Sequence, residues 1–150
     1  MNKPRLKFKN LPKSSFNHTV RQRVNAYFKD NDIRMYGDYR MWIKLVFILT
    51  GISSTYLSIL YIGSDIEHIA PAWGVWIILL LACLLGTFIA LAGLNICHDA
   101  IHGSLSDKKW INNIFGMLFN VIGANKYNWE NMHNKAHHIF TNVDGYDEDL

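Results

Sequence analysis

The chain has 150 residues, half of them hydrophobic, and a formal net charge of +3 at pH 7. Eleven of its fifteen lysines and arginines fall within the first 44 residues, where three acidic residues oppose them. Such a basic segment is expected to be a solvated arm or to bind anionic lipid headgroups. No nucleic-acid partner is expected, because no nucleic-acid recognition motif accompanies the charge.

The two cysteines, Cys83 and Cys97, lie in one apolar run, and no secretory signal peptide is expected before them. Both are therefore predicted to be small buried apolar residues and not a disulfide.

Residues 1–40 are predicted to form a basic cytoplasmic arm that contains one amphipathic helix. Ser14 and Ser15 can cap that helix. Its apolar residues recur at helical spacing, namely Phe16, Val20, Val24, Tyr27 and Phe28. Helices with this pattern lie on a membrane surface or pack against protein, and the sequence leaves both arrangements open.

Residues 41–62 are predicted to form a first transmembrane helix. As a helix this span rises about 33 Å, which is enough to cross a hydrocarbon core of about 30 Å. Lys44 lies close enough to the end of the span for its ammonium group to reach the lipid headgroups. Four small residues suit close helix contact in lipid: Gly51, Ser53, Ser54 and Thr55.

Residues 63–72 form the predicted extracytoplasmic turn, and residues 73–97 a second transmembrane helix without a charged residue. Lysine and arginine flank this hairpin at both outer ends and are absent from its turn. By the positive-inside rule, the amino terminus and residues 98–150 are expected to face the cytoplasm. The sequence thus predicts an all-α integral membrane protein, placed in the inner (cytoplasmic) membrane if it is bacterial.

Residues 98–150 are predicted to form a cytoplasmic cap segment. Within it, residues 110–124 are apolar but too short to cross a membrane. They are expected to lie at the interface or to pack on the cap. Tyr127 and Trp129 could line the acyl or headgroup path, but interfacial anchoring is the expected role of both.

Five of the seven histidines fall into two clusters after the second predicted span. His98 and His102 are four residues apart, so on an α-helix their imidazoles project from one face. His133 and His137 have the same spacing, whereas His138 would point about 100° away. Neutral imidazole is the commonest protein ligand for transition metals, and neither cluster contains the glutamate of an HExxH zinc-protease helix. The clusters therefore predict a metal site, held almost wholly by nitrogen, at the edge of a membrane.

Both clusters sit in motifs that resemble those of the membrane fatty acid desaturases. The first motif reads His-Asp-Ala-Ile-His-Gly-Ser over residues 98–104. The second reads Trp-Glu-Asn-Met-His-Asn-Lys-Ala-His-His-Ile-Phe-Thr-Asn over residues 129–142, and the run Asp-Gly-Tyr-Asp-Glu-Asp-Leu follows it. The likeness is closest to the bacterial acyl-CoA and linoleoyl-CoA-like, front-end branch. The second box is HxxxHH here, where many members have HxxHH.

The resemblance implies a four-transmembrane-helix desaturase fold under a cytoplasmic cap that holds two iron ions. It assigns the metal ligands to the five clustered histidines, His98, His102, His133, His137 and His138. Three neighbours are predicted to orient imidazoles from behind: Asp99, Glu130 and Asn134. The implied reaction introduces a double bond into an acyl chain, with O₂ as co-substrate.

The resemblance also implies the partners: a fatty acyl-CoA or acyl-lipid substrate, membrane lipid, and an external electron donor of ferredoxin or cytochrome b5 type. A haem-binding HPGG motif is absent from the sequence, so a separate donor is expected. The family's third histidine box has no counterpart before Leu150. The chain is therefore identified as the amino-terminal portion of a desaturase and is expected to be inactive alone.

Two other functions stay open. One is a histidine-box membrane hydroxylase or ketolase, since oxygen insertion and desaturation can share one iron centre. The other is a non-catalytic membrane protein that binds metal as a helper subunit.

Overall fold

The structure is a computed structural model, and it describes residues 16–69 and 72–147, apart from the side chain of Lys135. Within these ranges every regular element is a helix and no strand is present, as the predicted all-α class requires. The chain divides into two compact units, one up to Met35 and one from Tyr36 onward.

The first unit contains helix α1, Phe16–Asp30. Its apolar residues have the predicted helical spacing, but no residue of the helix is buried. The chain leaves the helix through Asp32, whose φ of 51° is left-handed. The predicted capping serines, Ser14 and Ser15, lie outside the described residues.

The second unit begins with the long helix α2, Tyr39–Ser64. Asp38 caps it, because its Oδ1 accepts hydrogen bonds from the backbone N–H groups of Arg40 at 2.9 Å and Met41 at 3.3 Å. The helix is about 39 Å long and extends beyond the predicted span of 41–62 at both ends. The short helix α3, Ile66–Ile69, follows it.

A second long helix is built from three consecutive pieces. Helix α4, Gly74–Leu91, continues into the first π segment, Ala92–Cys97, and then into helix α5, His98–Ile101. Together they form 28 residues of continuous helix. This helix and α2 are each long and apolar enough to cross a membrane.

The two long helices pack side by side through small residues. Gly51 and Thr55 of α2, one turn apart, are buried, whereas Ser53 and Ser54 are exposed. A Cβ atom on Gly51 would lie 2.4 Å from the ring of Phe88 in α4. Of the four small residues predicted for helix contact, Gly51 and Thr55 therefore lie on the packed face.

Lys44, close to the end of the span, donates a hydrogen bond from its Nζ to Oδ1 of Asn95 in the first π segment at 3.1 Å. Cys97 is buried as predicted, but Cys83 is exposed. The prediction for Cys83 was wrong because α4 is covered by protein on one side only, and few of its residues are buried.

Helix α6, Lys109–Val121, packs across the first π segment and α5. It closes a small apolar core around Leu45, Ile48, Ala92 and Ile96. The chain then enters helix α7, Lys126–Trp129, the second π segment, Glu130–His137, and helix α8, His138–Phe140.

Candidate metal centre

The first histidine motif ends the second long helix. Gly103, with φ of +72°, stops α5 in a Schellman arrangement: its N–H donates to the carbonyl of Ala100 at 3.0 Å, and the N–H of Ser104 donates to that of Asp99 at 2.9 Å. The carbonyl of Ser104 in turn accepts from the N–H of Gly37 at 3.1 Å, just before α2. Both long helices therefore fix the position of His98 and His102.

The second histidine motif lies on a π-helix. The hydrogen bonds of a π-helix join residues five apart, so residues i and i+5 come round to the same side. The ring of His138 accordingly lies 4.8 Å from that of His133 and 4.9 Å from that of His102, measured between centroids. The expectation that His138 points about 100° away was wrong, because it assumed α-helical winding.

Three imidazoles from the two motifs converge. The Nε2 atom of His98 lies 3.2 Å from Nε2 of His102 and 3.2 Å from Nε2 of His133. One nitrogen of each ring lies within 4.8 Å of the others. Two nitrogens bound to one ion through bonds of about 2.1 Å are separated by roughly 3 Å, so the observed spacing suits a shared transition-metal ion.

Hydrogen bonding alone does not explain this meeting of nitrogens. An sp² imidazole nitrogen carries either one proton or one lone pair, whereas Nε2 of His98 faces two other Nε2 atoms. A cation satisfies all three lone pairs at once. The donor set therefore fits the metal that the sequence motifs predict.

The environment of His102 favours its neutral form. Partial burial lowers the pKa of its imidazole, and the neighbouring rings of His98, His138 and His133 lower it further, against an opposing effect of Asp99. A metal binds only the unprotonated nitrogen of imidazole. The lowered pKa therefore favours the form of this ring that can act as a ligand.

Asp147 holds His137, and sequence reasoning did not assign it a role. Its Oδ1 lies 2.9 Å from Nδ1 of His137, its Oδ2 accepts from the N–H of Asn142 at 2.8 Å, and its side chain is fully buried. A carboxylate on Nδ1 leaves the lone pair on Nε2, as metal-binding histidines require. The sequence signal that could have pointed to Asp147 was the turn before it. Asn142 and Gly145, residue types typical of turns, both have positive φ and bring the chain back towards His137.

The three residues that were predicted to orient imidazoles have different partners. Oδ1 of Asp99 lies 3.4 Å from Nδ1 of His98. Asn134 instead donates from Nδ2 to the carbonyl of Ile101 at 3.3 Å and so joins the two histidine motifs. Glu130 pairs with Nζ of Lys126 at 3.4 Å.

Trp129 supports the site by packing. Its indole stacks on Phe119 with the ring centroids 4.8 Å apart, and its other neighbour is the ring of His133 at 5.4 Å. Its Nε1 is buried, in contrast to the interfacial position expected from the sequence, whereas Tyr127 is exposed. The indole therefore packs between Phe119 of α6 and the ring of His133.

The sequence of the chain is similar to those of fatty acid desaturases. Residues 74–150 match the family model described as fatty acid desaturase. The chain is 31% identical over 135 residues to the sn-1 linoleoyl-lipid 6-desaturase of Arthrospira platensis, which covers 90% of this chain and 34% of that protein. It is 33% identical over 148 residues to the acyl-lipid (8-3)-desaturase of Physcomitrium patens, covering 99% and 29%.

A third relative, the sn-1 linoleoyl-lipid 6-desaturase of Synechocystis sp., is 29% identical over 147 residues, covering 97% of this chain and 38% of that protein. The chain spans about a third of the length of these curated relatives. No solved structure matches it.

Proposed function

This chain belongs to the fatty acid desaturase family, and we propose that it forms the amino-terminal part of an oxygen-dependent, di-iron enzyme that introduces a double bond into a fatty acyl chain. The observation that carries the proposal is the convergence of His98, His102 and His133 directly beyond a long apolar helix. Imidazole is a suitable ligand for iron. Bound iron supplies, with O₂, the oxidant that unactivated methylene groups require, because no protein base can deprotonate them.

The residues of this chain have three tasks in that proposal. The five clustered histidines bind the two irons through neutral imidazoles, and Asp147 keeps His137 in the tautomer that can do so. Asp99 supports His98 in the same sense at a longer distance. In this proposal the two apolar helices span the membrane, so that the ligands lie beside the acyl layer and a lipid chain can reach them.

The substrate and the partners follow from the family. We propose an acyl-lipid or acyl-CoA substrate and an external electron donor of ferredoxin or cytochrome b5 type, with the amino terminus and the histidines on the cytoplasmic side. The names of the first relatives, linoleoyl-lipid and acyl-lipid desaturases, support the acyl-lipid choice. Five imidazoles are too few for two irons that also bind oxygen. Further ligands therefore come from the rest of the enzyme, and the 150 residues alone are expected to be inactive.

The test is a pair of histidine variants in the full-length protein. His133→Ala removes the imidazole whose ring contacts all four of the other clustered histidines, with centroids 4.8–5.3 Å apart, so iron content and the double-bond product should both be lost. His18→Ala, on an exposed position of α1, should leave both unchanged. Iron per chain is measured by elemental analysis, and the product by mass spectrometry of extracted lipids. Retained desaturation by His133→Ala, or a hydroxylated product from the unaltered protein, would contradict the proposal.

A further inference from the structure

Helix α6 has a groove on one of its faces. Gly116, which is buried, has no side chain there, and Asn113 and Asn120 lie about one turn before and one turn after it. Residues at positions i, i+3 and i+7 share one face of an α-helix. The groove therefore has a glycine as its floor and an amide side chain at each end.

Lys126 occupies this groove. A Cβ atom on Gly116 would lie 3.1 Å from Cε and 3.7 Å from Cδ of Lys126, so the stem of the lysine covers the glycine. At one end of the groove, the backbone N–H of Lys126 donates a hydrogen bond to Oδ1 of Asn120 at 2.9 Å. At the other end, its Nζ donates to Oδ1 of Asn113. Lys126 is therefore held on α6 by its backbone, its stem and its ammonium group.

The ammonium group of Lys126 also has a charged partner. Its Nζ lies 3.4 Å from Oε1 of Glu130, and 18% of the lysine side chain is exposed. Fully exposed ion pairs contribute little to stability, because water competes for both charges. A largely covered ammonium group is different, because without partners it would lose its hydration and gain nothing in return. Asn113 and Glu130 together therefore fix the position of this Nζ.

Glu130 is the first residue of the second π segment. His133 follows it by three residues, which is less than one helical turn. A rotation or a shift of the helix at Glu130 therefore moves the His133 ring as well. That ring has little room to move if it shares an ion with His98, because the Nε2 atoms of the two rings are 3.2 Å apart.

Helix α6 also contacts the first histidine motif, because it packs against α5, whose first residue is His98. A continuous series of contacts thus leads from the first motif through α6 and Lys126 to the second motif. Two further contacts run beside it: Trp129 stacks on α6, and Asn134 donates to the carbonyl of Ile101. The contact of Lys126 comes first along the chain and involves a charged group.

We propose that Lys126 is a positioning residue of the metal centre. By joining α6 to Glu130 it fixes where the second π segment begins, and so it holds His133 close to His98 and His102. The inference rests on the proposed function, since it assumes that the converging imidazoles hold a metal ion. Lys126 acts through the helix that it anchors and not as a ligand.

The first test compares two lysine variants of the full-length protein in detergent micelles. Lys126→Met keeps a stem that can cover Gly116 and removes the ammonium group. Lys109→Met is the matched control, because Lys109 lines the same cleft as Lys126 but is exposed. Binding of Co²⁺ is followed by visible absorption, and the number of imidazoles per ion is measured by X-ray absorption.

We expect Lys126→Met to weaken Co²⁺ binding about ten-fold, the lower end of the loss caused by removing residues that orient metal ligands. The number of imidazoles per ion should also fall, whereas Lys109→Met should match the unaltered protein. A lower Tm of Lys126→Met with unchanged affinity and imidazole number would show that the lysine only stabilises the fold. That result, or equal losses in both variants, would overturn the inference. Failure of the unaltered protein to bind Co²⁺ would instead overturn the proposed function, and the inference with it.

Hydrogen exchange tests the anchor without metal. In the metal-free protein, the backbone amides of residues 130–137 should exchange several-fold faster in Lys126→Met than in the unaltered protein, while those of α2 should not change. The rates are measured by mass spectrometry of peptides. Unchanged rates over residues 130–137 would mean that the lysine does not anchor this segment, and would overturn the inference.

An exchange of the two charges tests the ion pair. Lys126→Glu should weaken Co²⁺ binding at least as much as Lys126→Met does. Adding Glu130→Lys should restore most of the affinity, because the pair forms again with opposite polarity and the amide of Asn113 can donate as well as accept. No recovery in the double variant would contradict the role of Glu130 as the partner of Lys126.

Discussion

At the scale of single residues, the carboxylate of Asp147 is positioned to orient His137, an imidazole that we propose as a metal ligand. It contacts Nδ1 of His137 and the N–H of Asn142 from a fully buried position. Removing such a partner of a metal ligand costs about ten- to a hundred-fold in metal affinity. We expect Asp147→Ala to weaken iron binding by that factor, measured by metal titration of the full-length protein.

The matched control is Asp144→Ala, since Asp144 lies in the same turn but is exposed. Its iron affinity should equal that of the unaltered protein. Asp147→Asn, which keeps the shape but not the charge, should fall between the two. Equal affinities for Asp147→Ala and Asp144→Ala would show that the buried carboxylate plays no part in the centre.

The residue scale also shows what sequence reasoning can reach. The spacing of the histidines after an apolar run was enough to nominate the three rings that converge. Residues that bind one ion must lie close together, whatever the fold of the rest of the segment. The supporting carboxylates were harder to predict. Their contacts depend on where a turn returns the chain, so Glu130, close in sequence, pairs with Lys126, while Asp147, ten residues after His137, reaches its ring.

At the scale of elements, the contact between α2 and α4 depends on a glycine. A Cβ on Gly51 would meet the Phe88 ring at 2.4 Å, whereas a Cβ on Gly86 would meet nothing within 4 Å. Alanine in a helix interior gains about 1 kcal/mol over glycine, while overpacking a tight contact costs about 1–3 kcal/mol. We therefore expect Gly86→Ala to raise the Tm in detergent micelles and Gly51→Ala to lower it.

The comparison between the two glycines cancels effects of detergent and of helix propensity. The measurement is thermal unfolding followed by circular dichroism. Two alanine variants with the same Tm would mean that the close approach of Gly51 and Phe88 does not hold the helices together.

The second π segment is the element that could not be predicted from the sequence. Spacing arguments take α-helical winding for granted, so they placed His137 and not His138 beside His133. In the π-helix both rings contact His133, at 5.3 and 4.8 Å between centroids. The pattern HxxxHH on a π-helix thus presents the same faces as the pattern HxxHH on an α-helix, because a π-helix holds one more residue in the turn.

This equivalence predicts the effect of deleting one residue. Deletion of Ala136 should restore α-helical winding and keep the iron stoichiometry of the full-length protein, because the pattern becomes HxxHH. Insertion of an alanine after Ala136 should lower the stoichiometry, because no regular helix then aligns the three rings. Iron per chain and the number of imidazoles seen by X-ray absorption are the readouts, and loss of iron on deletion would contradict the argument.

At the scale of the whole molecule, the distribution of charge predicts which side of the membrane each end faces. The turn between the long helices has acidic residues and no lysine or arginine, while basic residues precede α2 and follow α5. We expect Ser64→Cys, exposed at the end of α2, to react with an impermeant maleimide on intact cells. Asp144→Cys, near the histidines, should react only after permeabilisation. The reverse pattern would invert the proposed orientation.

The long helices themselves could be predicted because a membrane span needs little more than length and apolar composition. The arrangement of the cap could not. Helix α6 buries Phe119 and leaves Ile114, Met117 and Val121 exposed, and composition alone does not divide its apolar residues between the two sides.

The hydrogen bond between Lys44 and Asn95 couples the two long helices mechanically. Asn95 precedes His98 by less than one turn, so a displacement of α2 along its axis pulls on the base of the first histidine motif. A slip of one residue would amount to about 1.5 Å, several times the roughly 0.2 Å by which a metal–nitrogen distance can vary. Bilayer thickness, which acts on the tilt and shear of a pair of membrane-spanning helices, can therefore change the geometry of the imidazoles that we propose as iron ligands.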